Sequence, residues 1–129
     1  MPINILKLDH FAIYVTNLER AEKFYSRFLG MGVHTRIGNE QVLLKCGDVL
    51  LALFNKPDLK IPVEPGAPAE PLGRAHFAVN ISMDDWQSAR QEFLEAEIPM
   101  SEHINWGDHD CFYITDPDGN LIEIMTWKD

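Results

Sequence analysis

The sequence predicts an α+β fold of two βαβββ modules whose strands build a curved mixed sheet. Three observations carry this. His76-Phe77-Ala78-Val79-Asn80-Ile81-Ser82 repeats His10-Phe11-Ala12-Ile13-Tyr14-Val15-Thr16 at an offset of 66, with three identities, three conservative changes and one mismatch. Each copy runs into a capping pattern followed by apolar residues at helical spacing. After each helix come short β-type segments separated by turn residues. The modules span 1–54 and 74–129, a Pro-rich connector covers 55–73, and the whole is read as one domain. One module of about 60 residues would bury too little surface to be comfortable alone, so the halves are expected to pair.

The elements follow in order. Leu6 to Val15 alternates, with Phe11, Ile13 and Val15 on one side and His10, Ala12 and Tyr14 on the other, as a half-buried strand does. Thr16-x-x-Glu19 offers a capping box for a helix over 17–29, where Leu18, Ala21, Phe24, Tyr25, Phe28 and Leu29 share a face until Gly30 ends it. Strands at 33–37, 41–46 and 49–54 are divided by Gly38-Asn39 and Gly47-Asp48. Five of the eight prolines then fall within 55–73, which excludes helix and interior strand. In the second module Ser82-x-x-Asp85 caps a helix carrying Trp86, Ala89, Phe93 and Ala96, broken before Pro99. Strands follow at 100–105, 110–115 and 120–127, the last two joined by Asp116-Pro117-Asp118-Gly119.

Composition narrows the function classes. With 46% hydrophobic residues in 129, the chain can build a core and lies far from the signature of disorder. Twenty acidic against 11 basic residues give a net charge of -9, which would repel phosphate backbones and anionic lipid, so neither nucleic acid nor a membrane surface is expected as partner. No apolar run approaches the ~20 residues of a membrane span, Met1-Pro2-Ile3-Asn4 does not read as a signal peptide, and a cytoplasmic location is expected. Cys46 and Cys111 form no C-x-x-C and read as reduced core thiols.

The alternation leaves His10 and His76 on the hollow side of the sheet. In the last strand Glu123 is the single charge of an apolar segment. Burying a carboxylate unpaired costs several kcal/mol, and two imidazoles with a divalent cation would neutralise it. His10, His76 and Glu123 are therefore the candidate two-His, one-carboxylate metal ligands. Tyr113, on the parity of Cys111, is a candidate to hydrogen-bond a substrate oxygen, and His103 and His109 are candidate acid/base groups, with His109 preferred.

Leu8-Asp9-His10-Phe11-Ala12-Ile13-Tyr14-Val15, Phe24-Tyr25-x-x-Phe28-Leu29-Gly30-Met31, Arg74-Ala75-His76-Phe77-Ala78-Val79 and Phe112 through Glu123, with its Asp-Pro-Asp-Gly-Asn run, resemble the vicinal oxygen chelate superfamily of glyoxalases, bleomycin-resistance proteins and extradiol dioxygenases. The resemblance covers nearly the whole chain. It implies one divalent ion per chain (Fe²⁺, Mn²⁺, Ni²⁺, Co²⁺ or Zn²⁺) on His10, His76 and Glu123, a small substrate chelated through neighbouring oxygens, and a homodimer. It also implies isomerase, lyase or thiol-transfer chemistry, with a non-haem Fe(II) dioxygenase and a metal-free antibiotic- or aromatic-binding protein as alternatives. Glyoxalase I adds a carboxylate on the last strand of the first module; the matching position is Leu51, and residues 41–56 hold no Glu and only the turn residue Asp48. Fosfomycin-resistance enzymes share the triad and the Tyr at 113, but carry a Thr where this chain has Ala12 and a basic loop where it has Trp106-Gly107-Asp108-His109-Asp110. Extradiol enzymes carry an upstream His that the stretch between His34 and His76 lacks.

Overall fold

In the computed structural model, residues 2–60 and 71–128 are described. The chain divides into two compact units, 1–60 and 61–129. Residues 61–70 of the predicted connector lie outside the described residues.

The first unit holds β1 (His10–Val15), α1 (Leu18–Leu29), β2 (Val33–Ile37), β3 (Gln41–Cys46) and β4 (Val49–Asn55). They form a four-stranded sheet of order β1-β4-β3-β2, with β1 parallel to β4 and the other pairs antiparallel. The second unit repeats this with β5 (Phe77–Asn80), α2 (Met83–Glu95), β6 (Ile104–Asn105), β7 (His109–Thr115) and β8 (Leu121–Trp127), in the order β5-β8-β7-β6. Parallel pairing of the first and last strands follows from the helical crossover between them. Both sheets are mixed, and the fold is α+β.

Burial follows the predicted parity. Val15, Leu44, Leu51 and Leu53 are buried in the first unit together with Ala21, Phe24 and Tyr25 of α1, which packs on β3 and β4. In the second unit Trp86 and Phe93 of α2 place their rings 5.1 and 6.1 Å from that of Phe112, and the Arg90 guanidinium lies 4.6 Å over the same ring. The faces turned away from the helices carry His10, Ala12 and Tyr14, and Ala78 and Asn80, all exposed.

Three boundaries differ from expectation. β1 starts at His10 rather than Leu6, because its partner β4 begins only at Val49 and the Leu50 amide already bonds the Asp9 carbonyl. Asn17, not Thr16, caps α1: its side chain accepts from the Arg20 amide at 3.0 Å, while the Thr16 hydroxyl accepts from the Arg20 guanidinium at 2.9 Å. β6 shrinks to two residues. Ile104 pairs with Cys111 and Met100 bridges Ile114, four steps against three, so one extra residue is accommodated there. Within that irregularity the Ser101 hydroxyl accepts from the Tyr113 amide at 2.8 Å.

The β7–β8 turn sets the register that matters for function. Asp116 is buried, yet its Oδ1 accepts from the amides of Asp118 and Asn120 at 2.9 and 2.8 Å, and its Oδ2 accepts from the Asn120 side chain at 2.9 Å. Gly119 takes φ +83°, which its missing Cβ permits. With this turn closed, Tyr113 stands directly opposite Glu123.

Candidate metal and substrate site

The second unit gathers three of the candidate groups, His76, Tyr113 and Glu123, on the sheet face away from α2. His76 immediately precedes β5, Glu123 lies mid-β8 paired with Ala78, and Tyr113 faces Glu123 from β7. His76 Nε2 is 2.9 Å from Glu123 Oε1, and the Tyr113 hydroxyl reaches the same oxygen at 3.4 Å. The His76 and Tyr113 rings meet edge to face at 5.2 Å. Side-chain exposure is 24% for His76 and 13% for Glu123, so both are largely shielded from solvent.

Hydrogen-bond chemistry constrains this contact. His76 Nδ1 lies 2.7 Å from the Arg74 carbonyl, which can only accept, so Nδ1 carries the proton. In the neutral ring Nε2 is then a lone pair, and it points at a carboxylate oxygen, which is also an acceptor. Two acceptors at 2.9 Å require positive charge between them, a proton on Nε2 or a cation. The 2.9 Å length is that of an ordinary N–H···O bond, and an imidazole nitrogen beside a carboxylate oxygen is also a donor pair that a divalent cation would accept. The carbonyl behind Nδ1 is the usual outer partner that fixes a ligating imidazole.

Tyr113 is held as a neutral phenol. Burial, then the Glu123 charge and Cys111, push it up to about 12. Near neutral pH it donates a hydrogen bond and is a poor base. The Cys111 thiol, fully buried beside Glu123, is likewise raised, first by burial and against a hydrogen bond from Trp106. It stays protonated, as expected of a core cysteine.

Residues 7–124 match the family model described as the Glyoxalase/Bleomycin resistance protein/Dioxygenase superfamily. The chain belongs to this superfamily. A relative named glutathione transferase FosA, from Serratia marcescens, is 25% identical over 117 residues, covering 91% of this chain and 78% of that protein. A lactoylglutathione lyase structure from Agrobacterium tumefaciens superposes with TM-score 0.72 at 25% identity, covering 95% of this chain and 94% of the other. A glyoxalase/dioxygenase structure from Nostoc punctiforme gives 0.79 at 23% identity over 100% and 96%, a likeness of fold.

His10 belongs to the first unit, opens β1 opposite Leu50 and has a half-exposed side chain. Its Nδ1 donates to Asp9 at 2.8 Å, leaving Nε2 as the acceptor nitrogen, and that bond leads the causes holding the Asp9 carboxyl below its ordinary range. Among the described residues no three His, Cys, Asp or Glu side chains form a ready metal cluster. His109 shares the face of Glu123 but lies four residues from Tyr113 along β7, about 13 Å of strand, with its Nδ1 2.6 Å from Asp108. His103 turns to the opposite face, where it bonds Asp110 at 2.7 Å and packs edge-on to Trp86.

One alignment is corrected. Glu123 pairs with Ala78, two residues after His76; in the first unit Ala12, two after His10, pairs with Ala52. The counterpart of Glu123 is therefore Ala52. Leu51 pairs with Phe11 and is fully buried toward the helix, since a one-residue slip along a strand changes face. Either way the carboxylate that resemblance to glyoxalase I would call for is missing.

The role of the Arg74 carbonyl was invisible in the sequence, because a backbone acceptor has no residue-type signature. Cys111 beside Glu123 had a signal: it shares the parity of Tyr113 on β7.

Proposed function

We infer that this protein is a divalent-metal-dependent enzyme that binds neighbouring oxygens of a small substrate and carries out thiol-transfer, lyase or isomerase chemistry. The observation that carries this reading is the 2.9 Å approach of an imidazole nitrogen, His76 Nε2, to a carboxylate oxygen, Glu123 Oε1. His76 and Glu123 would hold the ion, with His10 as third ligand; Fe²⁺, Mn²⁺, Ni²⁺, Co²⁺ and Zn²⁺ all suit such donors. The chemistry a bound ion supplies is Lewis-acid stabilisation of negative charge on a chelated oxygen. Tyr113 orients substrate by donating its hydroxyl, with a proton held firmly up to about pH 12. The position of Ala52 offers no base, which weighs against glyoxalase I chemistry. Similarity to a glutathione transferase and a lactoylglutathione lyase favours redox-neutral chemistry over oxygenation. A homodimer with one ion per chain and a cytoplasmic location complete the proposal.

Metal analysis of protein purified without chelators tests it. About one equivalent of divalent ion per chain is expected, with most of it lost in Glu123→Ala and in His76→Ala. Equal metal content in wild type and His76→Ala overturns the reading. Substrate-dependent oxygen uptake confined to the Fe²⁺ form would select a dioxygenase instead.

A further inference from the structure

Beyond the Glu123 region, the same sheet face ends in three aromatic rings. His109 stands directly opposite Trp127 on β8, and directly opposite residues project from one face, so both share the side that carries Cys111, Tyr113 and Glu123. The His109 ring lies 4.8 Å from that of Trp127, tilted by 53°, and 6.4 Å from that of Trp106, nearly parallel at 20°. Trp106 and Trp127 are nevertheless 51% and 52% exposed.

Two large indoles left half in water forfeit apolar burial unless something covers them, and here they are held in place. The Trp106 indole hydrogen-bonds the buried Cys111 thiol, its backbone amide donates to the His109 carbonyl at 2.9 Å, and His109 Nδ1 is fixed on Asp108 at 2.6 Å. The Lys128 amide, next to Trp127, donates to the Asp108 carbonyl at 3.0 Å. The rings are thus preorganised, which lowers the entropy lost when a flat group settles on them. The Asp108 carboxylate that holds His109 Nδ1 stands 75% exposed, leaving the ring faces as the apolar part of the surface. The ledge continues the sheet face that carries Tyr113 and Glu123, so a molecule lying along that face would reach both.

We propose that Trp106, His109 and Trp127 form a stacking ledge for a planar aromatic ring of the ligand. That the ring belongs to the substrate chelated near Glu123 rests on the reading above. Trp127 lies four residues beyond Glu123 on β8, about 13 Å of strand, so ring and chelating oxygens would sit at opposite ends of one elongated molecule.

Calorimetric titration of the full chain with 2-naphthol, against its saturated analogue decahydro-2-naphthol, tests the ledge. Wild type is expected to bind one naphthol per chain and the saturated analogue at least threefold more weakly. Trp106→Leu and Trp127→Leu should each raise Kd about three- to tenfold, with rescue in Trp106→Phe and Trp127→Phe. Trp86, only 6% exposed on the helix side, should keep its fluorescence unquenched. The proposal is overturned by equal binding of the two alcohols, by leucine variants that bind like wild type, or by wild type that binds no naphthol while the leucine variants sediment as a smaller species than wild type, which would make the ledge a self-association surface. Glu123→Gln separates the two readings: it should lose metal and keep naphthol affinity within twofold. Wild type that binds naphthol but no divalent ion sinks the metal reading and leaves the ledge standing.

Discussion

The two units share one plan and differ in what they do with it. Each places a histidine at the head of its first strand, pairs that strand in parallel with its last, and orders its sheet alike. In the second unit the position two residues beyond the histidine lies against Glu123; in the first it lies against Ala52. His76 therefore faces a carboxylate from across the sheet, whereas among the described residues His10 pairs with its chain neighbour Asp9. The scaffold fixes a location on the sheet face, and a single side chain decides whether that location carries a carboxylate.

The strongest way to break this contrast is to make the units alike. Ala52→Glu would put a carboxylate at a position only 1% exposed, and we expect a loss of about 3 kcal/mol or more in chemical denaturation, partly recovered on adding Zn²⁺ if His10 can share the ion. A neutral effect without metal would show that the two positions are not equivalent. Next in size are the turns that set register. Asp116→Ala removes three hydrogen bonds from a buried turn and should cost about 2–4 kcal/mol, while Asp48→Ala, exposed in the first unit's β3–β4 turn, should stay within about 0.5 kcal/mol. Similar losses by thermal melting would remove the asymmetry.

Smaller effects sharpen the electrostatics. Tyr113 should ionise near pH 12 in ultraviolet difference titration of wild type against Tyr113→Phe. Its folded-state value lies above the ordinary 10, so the stability it contributes is complete below pH 10 and is lost as pH rises toward 12. Smallest is the acid limb. The Asp110 carboxyl, held below its usual range mainly by the His103 hydrogen bond, and Asp9, held down by His10, stabilise the fold above the ordinary carboxylate range and lose that contribution as pH falls through their lowered values. Carboxyl NMR titrations placing either at or above 3.8 would contradict this.

Much of this was legible because it rests on periodicity. Strand parity, both helices, Gly30 as the end of α1 and the lone charge of Glu123 are local patterns that repeat between modules. What escaped was pairing. Leu6 to Asp9 alternate well enough for a strand but, among the described residues, join no regular ladder beyond the Asp9 carbonyl, and residues 100–103 lose regular pairing to one extra residue that composition does not reveal. The Leu51 alignment failed for the same reason, since only the ladder tells which of two adjacent residues meets Ala12. At the site, His76 and Glu123 were readable from the repeat and from charge, but the distance of His109 from Tyr113 follows only from the register of β7.

The edge of each sheet farthest from its histidine strand is interrupted. β2 has a register shift between Val33 and Thr35, and the β6 side carries the extra residue between Met100 and Ile104. A straight outer strand is a template on which another molecule can continue the ladder, and these irregularities remove it. Protein at high concentration should therefore resist fibril growth from these two edges, and deleting one residue between Met100 and Ile104 to straighten β6 should raise thioflavin-positive aggregation before it alters the candidate site.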